Sequence, residues 1–278
     1  MSVDLPAIAI LGTGSMGGAI LSGLLKPGVS VSGGIRVTNR TAEKADALRS
    51  DAVTSYATEV EPRANHLAVA GAKLVVLGVK PGMVPDLLRE VGPSLDSDAV
   101  VVSVAAGVPI AAMEAIVPGS VLRAMPNTPA VVGRAVTGLA AGTRSTDAEL
   151  ELARTMFETV GSVLVVPEEQ IDALGTISGS GPAYVFYLIE QLTKTALSLG
   201  FTAEQAAIMV GDTFLGAAEL LRHTGEDPAE LRRRVTSPKG TTEQAIVVLE
   251  QGGLKELFDR ATAAALARTK ELAADAAG

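Results

Sequence analysis

Gly12-Thr13-Gly14-Ser15-Met16-Gly17 follows directly on the apolar run AIAIL and opens an amphipathic helical pattern. Three glycines at this spacing between a strand and a helix have a mechanical reading. Gly12 permits the tight turn, Gly14 lets a pyrophosphate approach the backbone, and Gly17 allows close helix–strand packing. The unpaired N–H groups at the helix start then face the phosphates. At the end of the next strand-like run, IRVTN, stand Thr38-Asn39-Arg40. Sites for an unphosphorylated ribose place Asp or Glu there. With no carboxylate in that run, a 2′-phosphate can pair with Arg40 and Asn39, so NADP(H) is expected as the cofactor, with NAD(H) as the lesser alternative.

A second set of chemically capable residues lies in the C-terminal half. SGSGPAY (178–184) and VTSPKGTTEQA (235–245) are rich in small and hydroxyl residues. Both are expected to present backbone N–H groups and hydroxyls at a helix N-terminus, with Pro182 near one helix start, which suits a carboxylate. Thr241 with Gln244 also fits a capping box, whereas Thr242 is freer to face a ligand. Neither stretch has a histidine or a cysteine, and no acid occurs in them before Glu243. The chain has no cysteine, and its two histidines, His66 and His223, lack ligand spacing, so thiolate chemistry and a metal are not expected. Reduction of a keto acid would call for a His or Lys beside the carbonyl. An imine needs less, because its nitrogen can arrive protonated. The missing base therefore points towards C=N reduction by direct hydride transfer, helped by proximity and electrostatic placement.

These loops need elements to hold them. The runs 7–11, 35–39, 74–79, 99–105, 120–125, 135–141 and 162–166 read as strands, several of them continuously apolar as in a sheet buried on both faces. Alternation with helical patterns predicts an α/β fold with a doubly wound, parallel Rossmann-type sheet. Thr146 with Glu149, and Thr202 with Gln205, read as capping boxes. VKPG (79–82), VAAG (104–107) and MPNTPA (125–130) fall at strand ends, where ligands of such sheets lie. Past residue 166 strand patterns give way to helices, so the expected domains are 1–166, dinucleotide-binding, and 167–278, helical. Apolar residues recur at helical spacing over 182–199, and the next helix, to about Arg222, is apolar nearly all round, which predicts a subunit interface.

On ILGTGSMGGAI, TNR, VKP, MPNTPA, SGSGPAYV and VTSPKGTT, in this order, the chain resembles the pyrroline-5-carboxylate reductases over nearly its whole length. The resemblance implies reduction of Δ1-pyrroline-5-carboxylate to L-proline by NAD(P)H, the last step of proline biosynthesis. It also implies a Rossmann domain followed by an all-α dimerisation domain, with dimers gathered into larger rings. By matching position, Gly12 to Gly17 hold pyrophosphate, and Asn39 and Arg40 hold the 2′-phosphate end. Asn65, Lys80 and Pro81 contact the cofactor, with Ala105 and Asn127 near its nicotinamide half. Glu168 lies near the substrate, Ser237, Gly240 and Thr241 cradle its carboxylate, and Thr242 bonds to the ring nitrogen. Lys239 stands where the family has Gly, and it is expected to adopt an ordinary φ and point to solvent.

Two rivals have features of their own. A β-hydroxyacid dehydrogenase shares the two-domain plan but carries a catalytic Lys four residues after a glycine, where this chain has Val185. A non-catalytic NADP(H) sensor accounts for the glycine loop but not for the hydroxyl-rich ones. The net charge of −8 argues against nucleic acid, and the run Arg232-Arg233-Arg234 reads as a solvated helix face. The N-terminus lacks signal-peptide features and the longest apolar run, 99–113, is too short for a membrane span, so a soluble cytoplasmic protein is expected.

Overall fold

The computed structural model describes residues 3–277, with side chains through Glu271; Met1, Ser2 and Gly278, at the outer ends of the two expected domains, lie outside the described residues. A short parallel pair joins β1 (Val3–Leu5) to β3 (Val29–Val31). The main sheet holds β2 (Ile8–Leu11), β4 (Ile35–Asn39), β5 (Val53–Ala57), β6 (Leu74–Leu77), β7 (Val100–Ser103), β8 (Ser120–Met125), β9 (Ala135–Ala141) and β10 (Gly161–Val165). Their spatial order is β10-β9-β8-β7-β6-β2-β4-β5. From β2 the chain steps out to β4 and β5 on one side, then returns to β6 on the other. Such a reversal opens a crevice beyond the carboxyl end of β2, where Gly12 to Gly17 begin.

The continuous apolar runs are strands buried on both faces. In β2, Ile8 and Ile10 pack with Ile20, Leu24 and Phe157, while Ala9 and Leu11 pack with Leu88 and the other face of β6. β5 was not expected: its inward residues Val53, Ser55 and Ala57 alternate with outward ones, the pattern of a strand covered on one side only. β1 and β3, three residues each, are too short to show any period. The fully parallel sheet needs one correction, because β9 runs antiparallel to β8, and β10 follows it in parallel. The connection between β8 and β9 holds only the 3₁₀ turn Thr128–Val132, ended by Gly133 at φ 70°. Parallel pairing needs a crossover of about a dozen residues or more, so so short a link must reverse the chain.

Packing groups the chain into two units, one running to Ser180 and joined by the chain from Ala265 on, the other Gly181–Ala264. The first unit keeps helix Glu168–Leu174 because Arg123 of β8, 4% exposed, is ion-paired with Asp172 at 2.5 Å and with Glu168 at 3.5 Å. An arginine in a buried strand needs such partners. The second unit is helical: Gly181–Ser198, Ala203–Thr224, Pro228–Arg234, Thr241–Gln251 and the first part of Leu254–Ala277. Both capping boxes, at Thr146 and Thr202, are reciprocal as expected. Arg233 and Arg234 chelate Glu230 and hold its carboxyl well down, at about 2, and Arg232 pairs with Glu250. The basic run is thus spent within its own surface.

Candidate functional site

The glycine loop is built as its spacing requires. Gly12 has φ 91°, and a Cβ there would meet Val79 Cγ1 at 2.9 Å. A Cβ on Gly17 would strike the Gly12 carbonyl oxygen, so the helix start lies directly on the turn. Gly14, by contrast, faces open space, with nothing within 4 Å of where its Cβ would be. Helix Ser15–Leu24 begins after Gly14 with no side-chain cap, so its first N–H groups are left for an anion. Ser15 is exposed, while Met16 is half-buried against the core.

The end of β4 lies beside this loop, since Gly12 N and Thr13 N both donate to the Thr38 carbonyl, at 3.1 and 3.3 Å. The Thr13 hydroxyl donates to Asn39 Oδ1 at 2.6 Å. Asn39 is 7% exposed and its Nδ2 is buried without a partner. A buried amide donor left unpaired costs about 1–3 kcal/mol, which an acceptor arriving with a ligand would recover. Arg40 is exposed, and among the described residues its guanidinium has no hydrogen bond or ion pair. One carboxylate missed in the sequence does stand nearby: Glu59, whose N–H bonds to the Arg40 carbonyl, accepts from Ala42 N at 2.8 Å. Its charge is directed at the start of helix Ala42–Asp46.

The remaining residues expected around the cofactor are less free. Lys80 is exposed and caps the short turn Pro81–Met83. Ala105 is buried just past β7, its N–H bonded to Ser103 Oγ at 3.2 Å. Asn65 donates its amide to Glu90 at 3.0 Å. Glu168 Oε1 accepts from Ile110 N at 2.7 Å and pairs with Arg123, so that oxygen serves the fold. Asn127 uses both ends of its amide, accepting from Val136 N and donating to the Ser178 carbonyl, each at 2.9 Å. Pro182 has no N–H to offer the carbonyl four residues back, and Asn127 supplies the missing donor.

The same segment, SGSGPAY, carries the chain from one helix into the next. Helix Glu168–Leu174 continues through a π-helical turn, Gly175–Gly179, and Ser180 in the right-handed region into Gly181–Ser198. Pro182 is the second residue of helix Gly181–Ser198, near a helix start as expected. Gly175 and Gly179 let the turn lie on the tip of Met125, where a Cβ would come within 3.2 and 3.1 Å of Cε.

The other loop keeps its N-terminus. Gly240 is the N-cap of helix Thr241–Gln251, and no side chain caps it, so the capping box expected from Thr241 and Gln244 does not form. The hydroxyls of Ser237, Thr241 and Thr242 are exposed and uncommitted among the described residues. Gly240 N bonds to the Ser237 carbonyl at 2.9 Å, and a Cβ on Gly240 would press to 2.9 Å of that oxygen. Lys239 is exposed, but its φ is 62°, not the ordinary value expected. Glu243 fixes the turn by accepting from Lys239 N at 2.8 Å. Left-handed backbone costs a non-glycine residue ~1–2 kcal/mol, against ~0.4–1 kcal/mol for the extra unfolded-state freedom of glycine. Lys239→Gly is thus expected to raise stability by about 1 kcal/mol, and Lys239→Val, β-branched, to lower it, in denaturant melts of the two variants.

A doubly wound sheet with an open, phosphate-ready glycine loop at its switch point defines a nicotinamide-dependent oxidoreductase, here joined to a helical unit. Residues 7–107 match the family described as NADP oxidoreductase, coenzyme F420-dependent, and residues 168–272 match that described as pyrroline-5-carboxylate reductase dimerisation. The chain is 40% identical to the pyrroline-5-carboxylate reductase of Pseudomonas aeruginosa, over 96% of this chain and 97% of that one. It is 39% identical to that of Mycobacterium leprae, over 98% of each. The solved pyrroline-5-carboxylate reductase of Coxiella burnetii superposes with a TM-score of 0.88 at 38% identity, over 95% of this chain and 97% of that one. The chain belongs to the pyrroline-5-carboxylate reductase family.

Proposed function

We propose that the protein reduces the C=N bond of Δ1-pyrroline-5-carboxylate to give L-proline, with NADPH preferred over NADH. The observation that carries this reading is the loop Val235–Thr242. It presents three uncommitted hydroxyls and a free helix N-terminus; neither it nor SGSGPAY contains a His or an acid, and its one lysine, Lys239, is exposed. The first-turn N–H groups and Ser237 suit the substrate carboxylate. The Thr242 hydroxyl suits the ring nitrogen, accepting from it in the protonated iminium. Reduced nicotinamide, when bound, supplies the hydride. The chain's own part is to bind and orient, since the iminium is electrophilic without an enzyme acid. The residues proposed to hold the dinucleotide are Gly12 to Gly17 at the pyrophosphate and Asn39 with Arg40 at the 2′ end. Asn65, Lys80, Pro81, Ala105 and Asn127 are proposed along the rest. Glu168 and Asn127 are proposed to act by holding backbone in place, because their side chains are already engaged.

We also propose that the helical unit forms a homodimer, gathered into a larger ring, working in the cytoplasm. Phe186, Ile208 and Leu215 are 66%, 57% and 65% exposed in the single chain, and an apolar groove of about 760 Å³ is lined by Val185, Ile189, Leu215 and Leu221. No helix among the described residues is long and apolar enough to cross a membrane. Oxidation of NADPH, followed by absorbance with pyrroline-5-carboxylate and separately with 2-keto and β-hydroxy acid partners, tests the activity. Turnover with the cyclic imine alone is expected. Tight NADPH binding with no turnover of any partner would overturn it in favour of a redox sensor.

A further inference from the structure

The ends of β4 and β5 carry two opposite charges that do not meet. Pairing of these strands continues one step beyond them, with Thr58 N donating to the Asn39 carbonyl at 2.8 Å and Glu59 N to the Arg40 carbonyl at 3.1 Å. Glu59 is thereby fixed opposite Arg40. Its side chain turns to the backbone instead of the guanidinium: Oε1 accepts from Ala42 N at 2.8 Å, and among the described residues it makes no ion pair. Ala42 N follows two residues after Arg40, so chain geometry holds it within about 6 Å of the Arg40 Cα, and the tethered oxygen within about 9 Å. Arg40 is left free to attract an anion, and the carboxylate stays close enough to repel it. A 2′-phosphate carries nearly two negative charges, whereas a ribose 2′-hydroxyl carries none. At a separation near 10 Å in water of low salt, that repulsion lowers affinity for the phosphate about threefold and leaves the hydroxyl untouched. The effect is one of field and needs no contact between Glu59 and the ligand.

We infer that Glu59 is a specificity-determining residue for the nucleotide: its tethered carboxylate opposes a 2′-phosphate at Arg40 and so narrows the preference for NADPH over NADH. This inference rests on the reading that Asn39 and Arg40 meet the 2′ end. Two ligands that differ only in the group at issue, adenosine 5′-monophosphate and adenosine 2′,5′-bisphosphate, separate the two ideas by calorimetric titration of the purified full chain at low salt. The wild type should bind the bisphosphate more tightly. Glu59→Gln removes the charge and keeps an oxygen for Ala42 N. It should tighten bisphosphate binding about threefold and change monophosphate binding less than about 1.5-fold, and the gain should fade at high salt. Glu59→Lys, which reverses the charge, should tighten bisphosphate binding about tenfold. A wild type with no preference would overturn the 2′-phosphate reading and this inference with it. A wild-type preference that Glu59→Gln and Glu59→Lys leave unchanged or reduce would overturn this inference alone. So would an equal change for both ligands, because it would mean that Glu59 acts only through net charge or the shape of the loop.

Discussion

Thr242→Val is expected to lower kcat/KM for pyrroline-5-carboxylate about 100-fold, the order seen when one hydrogen-bonding group aimed at a reacting centre is removed. The substitution isolates that group. Thr242 is in the first turn of helix Thr241–Gln251, exposed, with no bond to its hydroxyl among the described residues, and valine keeps the β-branched shape. Nothing in the fold depends on the lost oxygen, so thermal stability should stay within about 0.5 kcal/mol of the wild type, as for a surface change that breaks no contact. Titration with NADPH should give the same affinity, since Thr242 lies in the helical unit and the glycine loop in the other. Loss in kcat and kcat/KM together would mean that the hydroxyl acts as hydride reaches carbon, whereas a raised KM alone would mean that it only holds the substrate. Unchanged steady-state kinetics would remove Thr242 from the mechanism.

Arg40→Glu has a similarly large expected effect on a different ligand. In the wild type an unpaired guanidinium stands next to Asn39 at the end of β4. A charge-assisted contact of this kind is worth about 1.5–3 kcal/mol, and reversing the charge adds repulsion to its loss. NADPH affinity should therefore fall about 100-fold, and NADH affinity by less than about threefold. The contrast should shrink at high salt, because Arg40 is exposed and screened. Glu59 makes the balance finer than the sequence suggests, since it brings a carboxylate to the same strand end, directed at Ala42 N. Equal losses for both nucleotides would refute the selectivity argument and leave Arg40 as a general contributor to the loop.

Much of the frame was legible in the chain. IRVTN, SVLRAM and AVTGLAA are strands to the residue, and the capping boxes at Thr146 and Thr202 form as read. The third box, at Thr241, fails because Gly240 can itself serve as the N-cap, and the helix starts one residue earlier than the pattern allowed. SGSGPAY was legible only in part. Pro182 does stand at a helix start, the second residue of Gly181–Ser198, but a π-turn precedes it and Asn127 satisfies the Ser178 carbonyl. Arg123 inside an apolar strand was the available signal that Glu168 and Asp172 would be drawn inwards.

By itself the sequence determined the class of sheet, the place of the glycine loop and the family. These rest on short-range rules, in which side-chain period, glycine spacing and helix ends act between residues close in the chain. Only the tertiary structure decided the direction of β9, the left-handed turn at Lys239, the commitment of Glu168 and the buried, unpaired amide nitrogen of Asn39. Each of these depends on which groups meet, across 26 residues for Thr13 and Asn39 and across 58 for Ile110 and Glu168. A hydrogen bond turns on tenths of an ångström and on which partner is left over, and neither is written in local pattern.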